Sequence, residues 1–460
     1  EELAAIPLLA ISDIEKKADK LKNKLNEAEG ITLLHHDVYT NGITYLGLLF
    51  DTDPVPRDLV PYLGIWRSVL GQLDTENYSY GELNNEINLE SGGIYFTLSV
   101  YPDLKAPGEF RSMFEARGKF LDEKLPFAFK MIPEILFTSK LDDKKRLKEV
   151  ISMMKSRMSS SMASAGHSTA SLRAMSYFSA QSAYAEESNG VTFYDLISDL
   201  EEHFDEKAAD LIQKLNRVKS LVLHRDLLMA DVTGSEESCL SAAKKLGDFA
   251  AGLSGEVSHR GEWQFIENIR NEGFKTASQV QYVAKAADYT KEGLSYNGAL
   301  KVLKVIMGYD YLWQNVRVKG GAYGCMSAWA RTGECYMVSY RDPHLKETLD
   351  IFNNAGDYIA DFTASDRDMT KYIIGTISDM DTPLTPRAEG NRGLSAYLSN
   401  FGDEDLQRER DEVLSTDVNA IRALAPFGFA LKNSPIICTV GGEEKIEENK
   451  ELFKEMRQLV

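Results

Sequence analysis

Four cysteines in 460 residues, Cys239, Cys325, Cys335 and Cys438, never fall into CxxC spacing. Scattered thiols of this kind read as reduced and mostly buried, the usage of an intracellular protein. Cys325 and Cys335 are close enough in sequence to face each other across a hairpin, with a disulfide as the lesser alternative. Long apolar runs are missing too: none approaches the roughly 18–20 residues that a membrane helix needs. The seven histidines contain no pair three or four positions apart, so neither HExxH nor the inverted HxxEH is present. A helical zinc site requires such a pair with a carboxylate nearby, so no metal site is expected within this chain. Adjacent His35 and His36 point to opposite faces of a strand and cannot chelate together. GxSxG, a P-loop and a GxGxxG after a strand are also lacking. Basic charge is short, with 52 Lys and Arg against 70 Asp and Glu and a net charge of −18. Nucleic acid is therefore not an expected partner, because phosphate neutralisation needs a basic face. An acidic surface serves solubility first, and an acidic chamber for cationic peptides is the second reading. The chain opens with neither Met, a signal peptide nor a basic transit segment. Its start, Glu-Glu-Leu-Ala-Ala, reads as the interior of a longer sequence.

What is present is a globular composition, 43% hydrophobic and 27% charged, at a length that asks for more than one core. A charged helix is expected over 11–29, then a hairpin over 31–52 turning at Asn41-Gly42, among the strongest short hairpin signals. Helices are expected at 56–72 and 78–89, then strands at 94–100 and 109–120. Helical patterns follow at 122–138, 141–163, 167–187 and 190–216. A strand at 221–232 and a helix at 236–252 lead to the Gly-rich stretch 252–262, the best linker. The second half starts with strands near 273–288 and a helix from Gly298 to Asn315. Strands at 322–330 and 334–341 come next, joined by Arg331-Thr332-Gly333. Helices at 344–363 and 366–379 precede a looser helical region, 387–426, closed by Pro426 and Gly428. A strand at 434–440 and a charged helix at 443–458 finish the chain. His167 is read as a capping or buried polar residue, and Asp342 as an N-cap with Pro343 at the first helical position.

Both halves run through the same order of elements, and Gly92-Gly93-Ile94-Tyr95 aligns with Gly320-Gly321-Ala322-Tyr323. In that alignment Leu89 stands where the second half has Arg317. The fold class expected is therefore α/β, of α+β type: two homologous domains, each a mostly antiparallel sheet packed by helices. Residues 1–30 form a connecting helical segment, 31–252 the first domain, 253–262 a linker and 263–460 the second domain. Arg317 and Tyr323 bracket the second Gly-Gly turn. Paired glycines let another chain come close, and an arginine and a tyrosine beside them supply donors for a carbonyl or an oxyanion. An ordinary helix-to-strand turn is the alternative on local chemistry alone.

The strings His-Asp-Val-Tyr-Thr-Asn-Gly-Ile-Thr-Tyr (36–45), Arg-Val-Lys-Gly-Gly-Ala-Tyr-Gly (317–324), Ser-Tyr-Arg-Asp-Pro (339–343) and Ile-Ile-Gly-Thr-Ile-Ser-Asp-Met-Asp (373–381) closely resemble the C-terminal half of presequence proteases. These are the single-chain branch of the pitrilysin/insulinase superfamily of inverted-motif zinc peptidases, and the resemblance covers essentially the whole chain. It implies four homologous domains in two bowl-like halves that enclose a peptide-sized chamber. Zinc, its ligands and the general base would lie in an N-terminal half outside this chain, which itself binds no metal. Arg317 and Tyr323 would reach that site as substrate-holding and oxyanion-stabilising residues, and Gly320 and Gly321 would lie against the substrate strand. Partners implied are the zinc-bearing half, in the same chain or a separate subunit, and unfolded peptides. The chain alone is expected to be inactive. A naturally zinc-less partner subunit and a non-catalytic peptide-binding or structural module are the alternatives. The expected location is the bacterial cytoplasm, with an organellar matrix second.

Overall fold

The computed structural model describes residues 9–257, 260–261 and 263–460. It contains two six-stranded sheets. The first comprises β1 (Asn23–Ala28), β2 (Ile31–Asp37), β3 (Ile43–Asp51), β4 (Ile94–Pro102), β5 (Phe110–Leu121) and β6 (Leu228–Gly234), in the order β1-β2-β6-β3-β5-β4. The second comprises β7 (Glu272–Thr276), β8 (Tyr282–Asp288), β9 (Gly324–Trp329), β10 (Glu334–Tyr340), β11 (Ile437–Gly442) and β12 (Glu455–Gln458), in the order β12-β7-β11-β8-β10-β9. Five strands of each sheet have the same wiring: β2, β6, β3, β5 and β4 match β7, β11, β8, β10 and β9. In both, the strand late in the sequence inserts parallel to the first and antiparallel to the second. The remaining contacts are antiparallel except for β7 with β12, so each sheet is mostly antiparallel.

This wiring overturns the expected hairpin over 31–52. Asn41 and Gly42 do adopt left-handed backbone (φ 54° and 78°), but β6 lies between β2 and β3. Every residue of β6 is buried, so it needs a neighbour on each side. The five residues from Val38 to Gly42 can bridge a gap of two strand spacings, about 10 Å, at roughly 3.3 Å each. Turn chemistry sets a chain reversal without choosing the neighbour.

The expected helix over 11–29 and the expected helix over 443–458 are both corrected. Only Ile11–Asp13 forms a short 3-10 turn in the first, and residues 23–28 are strand β1. The second holds a six-residue helix, Glu443–Glu448, and ends in β12. Both misread elements are edge strands, largely exposed and polar along their length, so the period-two pattern is lost. The segment 1–30 is therefore not a helical connector, since β1 belongs to the first sheet. Of the expected linker, residues 258, 259 and 262 lie outside the described residues. Three other long helices are broken. Residues 167–187 form Gly166–Ser176 and Ala180–Asn189, 190–216 divide at His203, and 344–363 divide at Asn354. The region 387–426 resolves into four helices, the last of them Ala425–Asn433. Pro426 and Gly428 lie inside that helix. Proline fits its first turn, and a Cβ on Gly428 would come within 2.5 Å of the Gly356 Cα, so this glycine serves a helix crossing.

One core gathers around Phe50, Trp66 and Phe114, with the Trp66 and Phe114 rings stacked at 4.4 Å. Another forms around Tyr289, Phe352 and Phe427. The halves also cover each other's sheets. Helix Gly166–Ser176 sets Ala170 and Ala174 against Tyr282, Ala284 and Val440 of the second sheet. Helix Pro386–Leu398 sets Leu394 and Leu398 against Leu34, Leu49 and Met229 of the first. Small residues make both approaches possible. A Cβ at Gly166 would meet the Tyr282 ring at 2.3 Å, and one at Gly390 would meet Thr233 Oγ1 at 1.8 Å. Beneath the first of these helices Arg173 is buried with Glu186 (2.8 Å) and Glu272 (2.6 Å), and Tyr177 donates to Glu272 at 2.7 Å. A charge trio so enclosed is tolerated because each carboxylate is paired and hydrogen-bonded.

Candidate functional site

The helix before the second Gly-Gly turn begins as Ala299–Ile306, with Leu300, Val302, Leu303 and Ile306 buried. Its winding then widens into π-helix over Met307–Tyr311 and again over Trp313–Lys319, so it runs four residues past the expected end at Asn315. Wide turns of this kind are rare and concentrate at functional sites. Here they bring the Arg317 guanidinium to 4.2 Å from the Trp313 ring centre and 5.3 Å from that of Tyr323. Among the described residues Arg317 has no carboxylate partner, so its charge is held by two aromatic faces and its N–H groups stay available.

Gly321 stops the helix in left-handed backbone (φ 80°), donating its N–H to the Arg317 carbonyl at 2.8 Å. A Cβ at Gly320 would lie 2.6 Å from the Val316 carbonyl oxygen. Both glycines thus have a reason internal to the turn. Around Gly321 the space is open except for Pro343, 3.6 Å from where a Cβ would stand. Tyr323 then joins the sheet, its N–H donating to the Tyr340 carbonyl at 3.1 Å. Its side chain is 64% exposed, and among the described residues its hydroxyl has no hydrogen-bond partner. Tyr309, Trp313 and Val318 are exposed alongside it.

The structure adds four residues to the pair. Tyr340 stands edge-on to Tyr323 at 5.8 Å, and His167 stands edge-on to Tyr340 at 4.9 Å. Tyr282 closes the row 5.6 Å from Tyr340. Arg341, at a left-handed φ of 49°, lays its guanidinium 5.5 Å from the Tyr340 ring centre. His167 is thus no helix cap, since Ala165 holds that position. Burial favours its neutral imidazole, and its Nδ1 is enclosed with no partner among the described residues. A helix from the first half therefore backs the aromatic row of the second. The signal for this lay in Gly166-His167 and Tyr340-Arg341, but only tertiary packing joins them.

Asp342 is also corrected. The following helix starts at Lys346, and Asp342 instead accepts from the His344 N–H (2.9 Å) and the Thr348 hydroxyl (2.6 Å). Burial pushes its carboxyl above the ordinary range. Cys325 and Cys335 do not face each other: Cys325 is opposite Ser339 and Cys335 opposite Trp329. The four thiols are free, and burial raises the pKa of each. His35 and His36 do diverge, toward the Gly234 carbonyl (2.9 Å) and Asp231 (2.7 Å). Among the described residues no three His, Cys, Asp or Glu side chains come together as a metal site. A guanidinium, phenols and glycine backbone are hydrogen-bond donors rather than zinc ligands, so zinc does not fit this turn.

Two family models match the chain: the associated domain of peptidase family M16, subfamily C, over residues 1–200, and the PreP C-terminal domain over residues 271–434. Protein HypA of Clostridium perfringens is 39% identical over 460 residues, which is 100% of this chain and 47% of HypA. Presequence protease 1 of Arabidopsis thaliana is 28% identical over 453 residues, 97% of this chain and 42% of that protein. The chain is a homologue of the presequence proteases. It spans about half the length of the curated relatives it matches. Among solved structures, the peptidase M16 inactive domain from Pseudomonas fluorescens aligns with a TM-score of 0.65 at 14% identity, over 92% of this chain and 98% of that one. A protease from Helicobacter pylori aligns with a TM-score of 0.64 at 11% identity, over 92% and 99%. These two share the fold. No helix among the described residues is long and apolar enough to cross a membrane.

Proposed function

We propose that this chain is the C-terminal half of a zinc metalloendopeptidase that degrades unstructured peptides, and that Arg317 and Tyr323 complete an active site whose metal and general base lie in a half outside it. One observation carries the reading. Arg317 is held between two aromatic rings with no ion-pair partner among the described residues, beside an exposed tyrosine hydroxyl that also has none. Donors left unspent by the fold are available to a ligand.

Peptide hydrolysis concentrates negative charge on the carbonyl oxygen under attack. The Tyr323 hydroxyl is assigned to donate to that oxygen, and the Arg317 guanidinium to a backbone carbonyl of the extended substrate, fixing its register. Gly320 and Gly321 are assigned to the substrate's path, where the open space around Gly321 would admit a strand. The chain alone is inactive on this reading. Its substrates are peptides small and unfolded enough for an enclosed chamber, and its place is the bacterial cytoplasm. The test is steady-state peptide cleavage by protein containing both halves. Tyr323→Phe is expected to lower kcat by about two to three orders of magnitude, the cost typical of removing one oxyanion donor. Arg317→Ala is expected to act mainly on KM. Undiminished cleavage by both variants would reject the assignment.

A further inference from the structure

The repeat makes Tyr95 the counterpart of Tyr323, yet its own helix offers no arginine: the Arg317 position is held by Leu89, 78% exposed. An arginine is there nonetheless. Arg387, from helix Pro386–Leu398 of the second half, lies 5.0 Å from the Tyr95 ring centre and donates to its hydroxyl. That matches the 5.3 Å between Arg317 and Tyr323. Each tyrosine follows a Gly-Gly pair, and Tyr95 is opposite Arg117 just as Tyr323 is beside Arg341. The arginine-on-tyrosine arrangement therefore occurs twice, once through a neighbouring helix turn and once through a helix almost 300 positions away in sequence.

A cavity of about 170 Å³ opens beside Tyr95. Lys119 lies along its rim with its stem against Gly92, where a Cβ would come within 2.2 Å of the Lys119 Cε. Among the described residues, Arg387 and Lys119 form no ion pair, and both are exposed. The deeper wall is already neutralised: Arg117 bonds Glu115 (2.5 Å) and Asp231 (3.1 Å), and Asp231 also accepts from His36. Unspent charge at this cavity is thus positive, on a protein whose net charge is −18.

We infer that Arg387, Lys119 and Tyr95 form a second peptide-anchoring site that takes a carboxylate, either the C-terminal group of a peptide or an acidic side chain. The site rests on the reading of this chain as part of a peptide chamber. A guanidinium, an ammonium and a phenol around one small cavity give a carboxylate up to three charge-assisted hydrogen bonds. The volume suits one such group and not a folded surface.

Anisotropy of a labelled, unstructured peptide on full-length protein in chelator, where cleavage is stopped, tests this. Three forms of the peptide are compared: free acid, C-terminal amide, and free acid with Asp and Glu replaced by Asn and Gln. Wild-type protein is expected to lose about tenfold in affinity for either the amide or the Asn/Gln form, and the form that loses names the source of the carboxylate. Arg387→Gln is expected to abolish that preference, and Lys119→Gln to reduce it. Neither exposed residue supports the core, and an unchanged Tm checks that. Equal binding of all three forms, or a preference that survives Arg387→Gln, overturns the inference while leaving the peptidase reading intact. Absence of any peptide binding by wild type overturns both.

Discussion

Two turns of the same chain, Gly92-Gly93-Ile94-Tyr95 and Gly320-Gly321-Ala322-Tyr323, start from one pattern and end in different surroundings. Tyr323 is exposed beside Trp313, Tyr309 and Val318, at the end of a helix widened into π turns. Tyr95 is half-buried, follows the regular helix Tyr80–Glu90, and is covered by a helix of the other half. The fold repeats, and what differs is where each arginine comes from and how open the turn is. The backbone alone thus explains the glycines in both copies, whereas only the second copy leaves its donors exposed side by side.

Substitutions at matched positions sharpen this contrast. The largest effect is expected where both turns need left-handed backbone, Gly93 (φ 110°) and Gly321 (φ 80°). Valine at either position is strained, but only Gly321→Val should move Tyr323. A misplacement of about 1 Å costs on the order of 100-fold in rate, so peptide cleavage should fall by that much for Gly321→Val and stay near wild type for Gly93→Val at matched folded fraction. Equal losses would mean that the two turns do not differ in role.

Next come the reciprocal cover helices. Gly390→Ala presses a methyl onto Thr233, and Gly166→Ala presses one onto Tyr282. Overpacking of this kind costs about 1–3 kcal/mol, readable in denaturant midpoints. The Gly166 change should also disturb peptide cleavage, because His167 and Tyr282 back Tyr340 and Tyr323. A smaller effect is expected from Trp313→Ala. Loss of the ring under Arg317 removes roughly 0.5–1 kcal/mol of cation–π attraction and should raise KM two- to fivefold with kcat unchanged. The smallest belongs to Leu89→Arg, which restores an arginine at the first turn on an exposed position. Stability should stay within about 0.5 kcal/mol and cleavage should not change.

Much of the fold was legible because buried segments keep their period. β4 and β5, the helix Glu236–Ala251 and the hairpin of β9 and β10 lie where the apolar pattern placed them. Edge strands β1 and β12 were not legible, since exposure on both faces removes the alternation that marks a strand. Neighbour choice was hidden as well: Asn41-Gly42 signals a reversal, and only the demand of buried β6 for two partners separates β2 from β3. At the site, Arg317, Gly320, Gly321 and Tyr323 were legible because they lie within seven positions. His167, Tyr340 and Arg387 were not, since their contacts join helices and strands far apart in sequence.

The most direct measurement sets Tyr323→Phe beside Tyr95→Phe in protein with both halves, reading kcat on one unstructured peptide with Tm as the folding control. The account predicts a fall of about two to three orders of magnitude for Tyr323→Phe and an unchanged kcat for Tyr95→Phe. An unchanged kcat for Tyr323→Phe, or an equal fall in both, would contradict it.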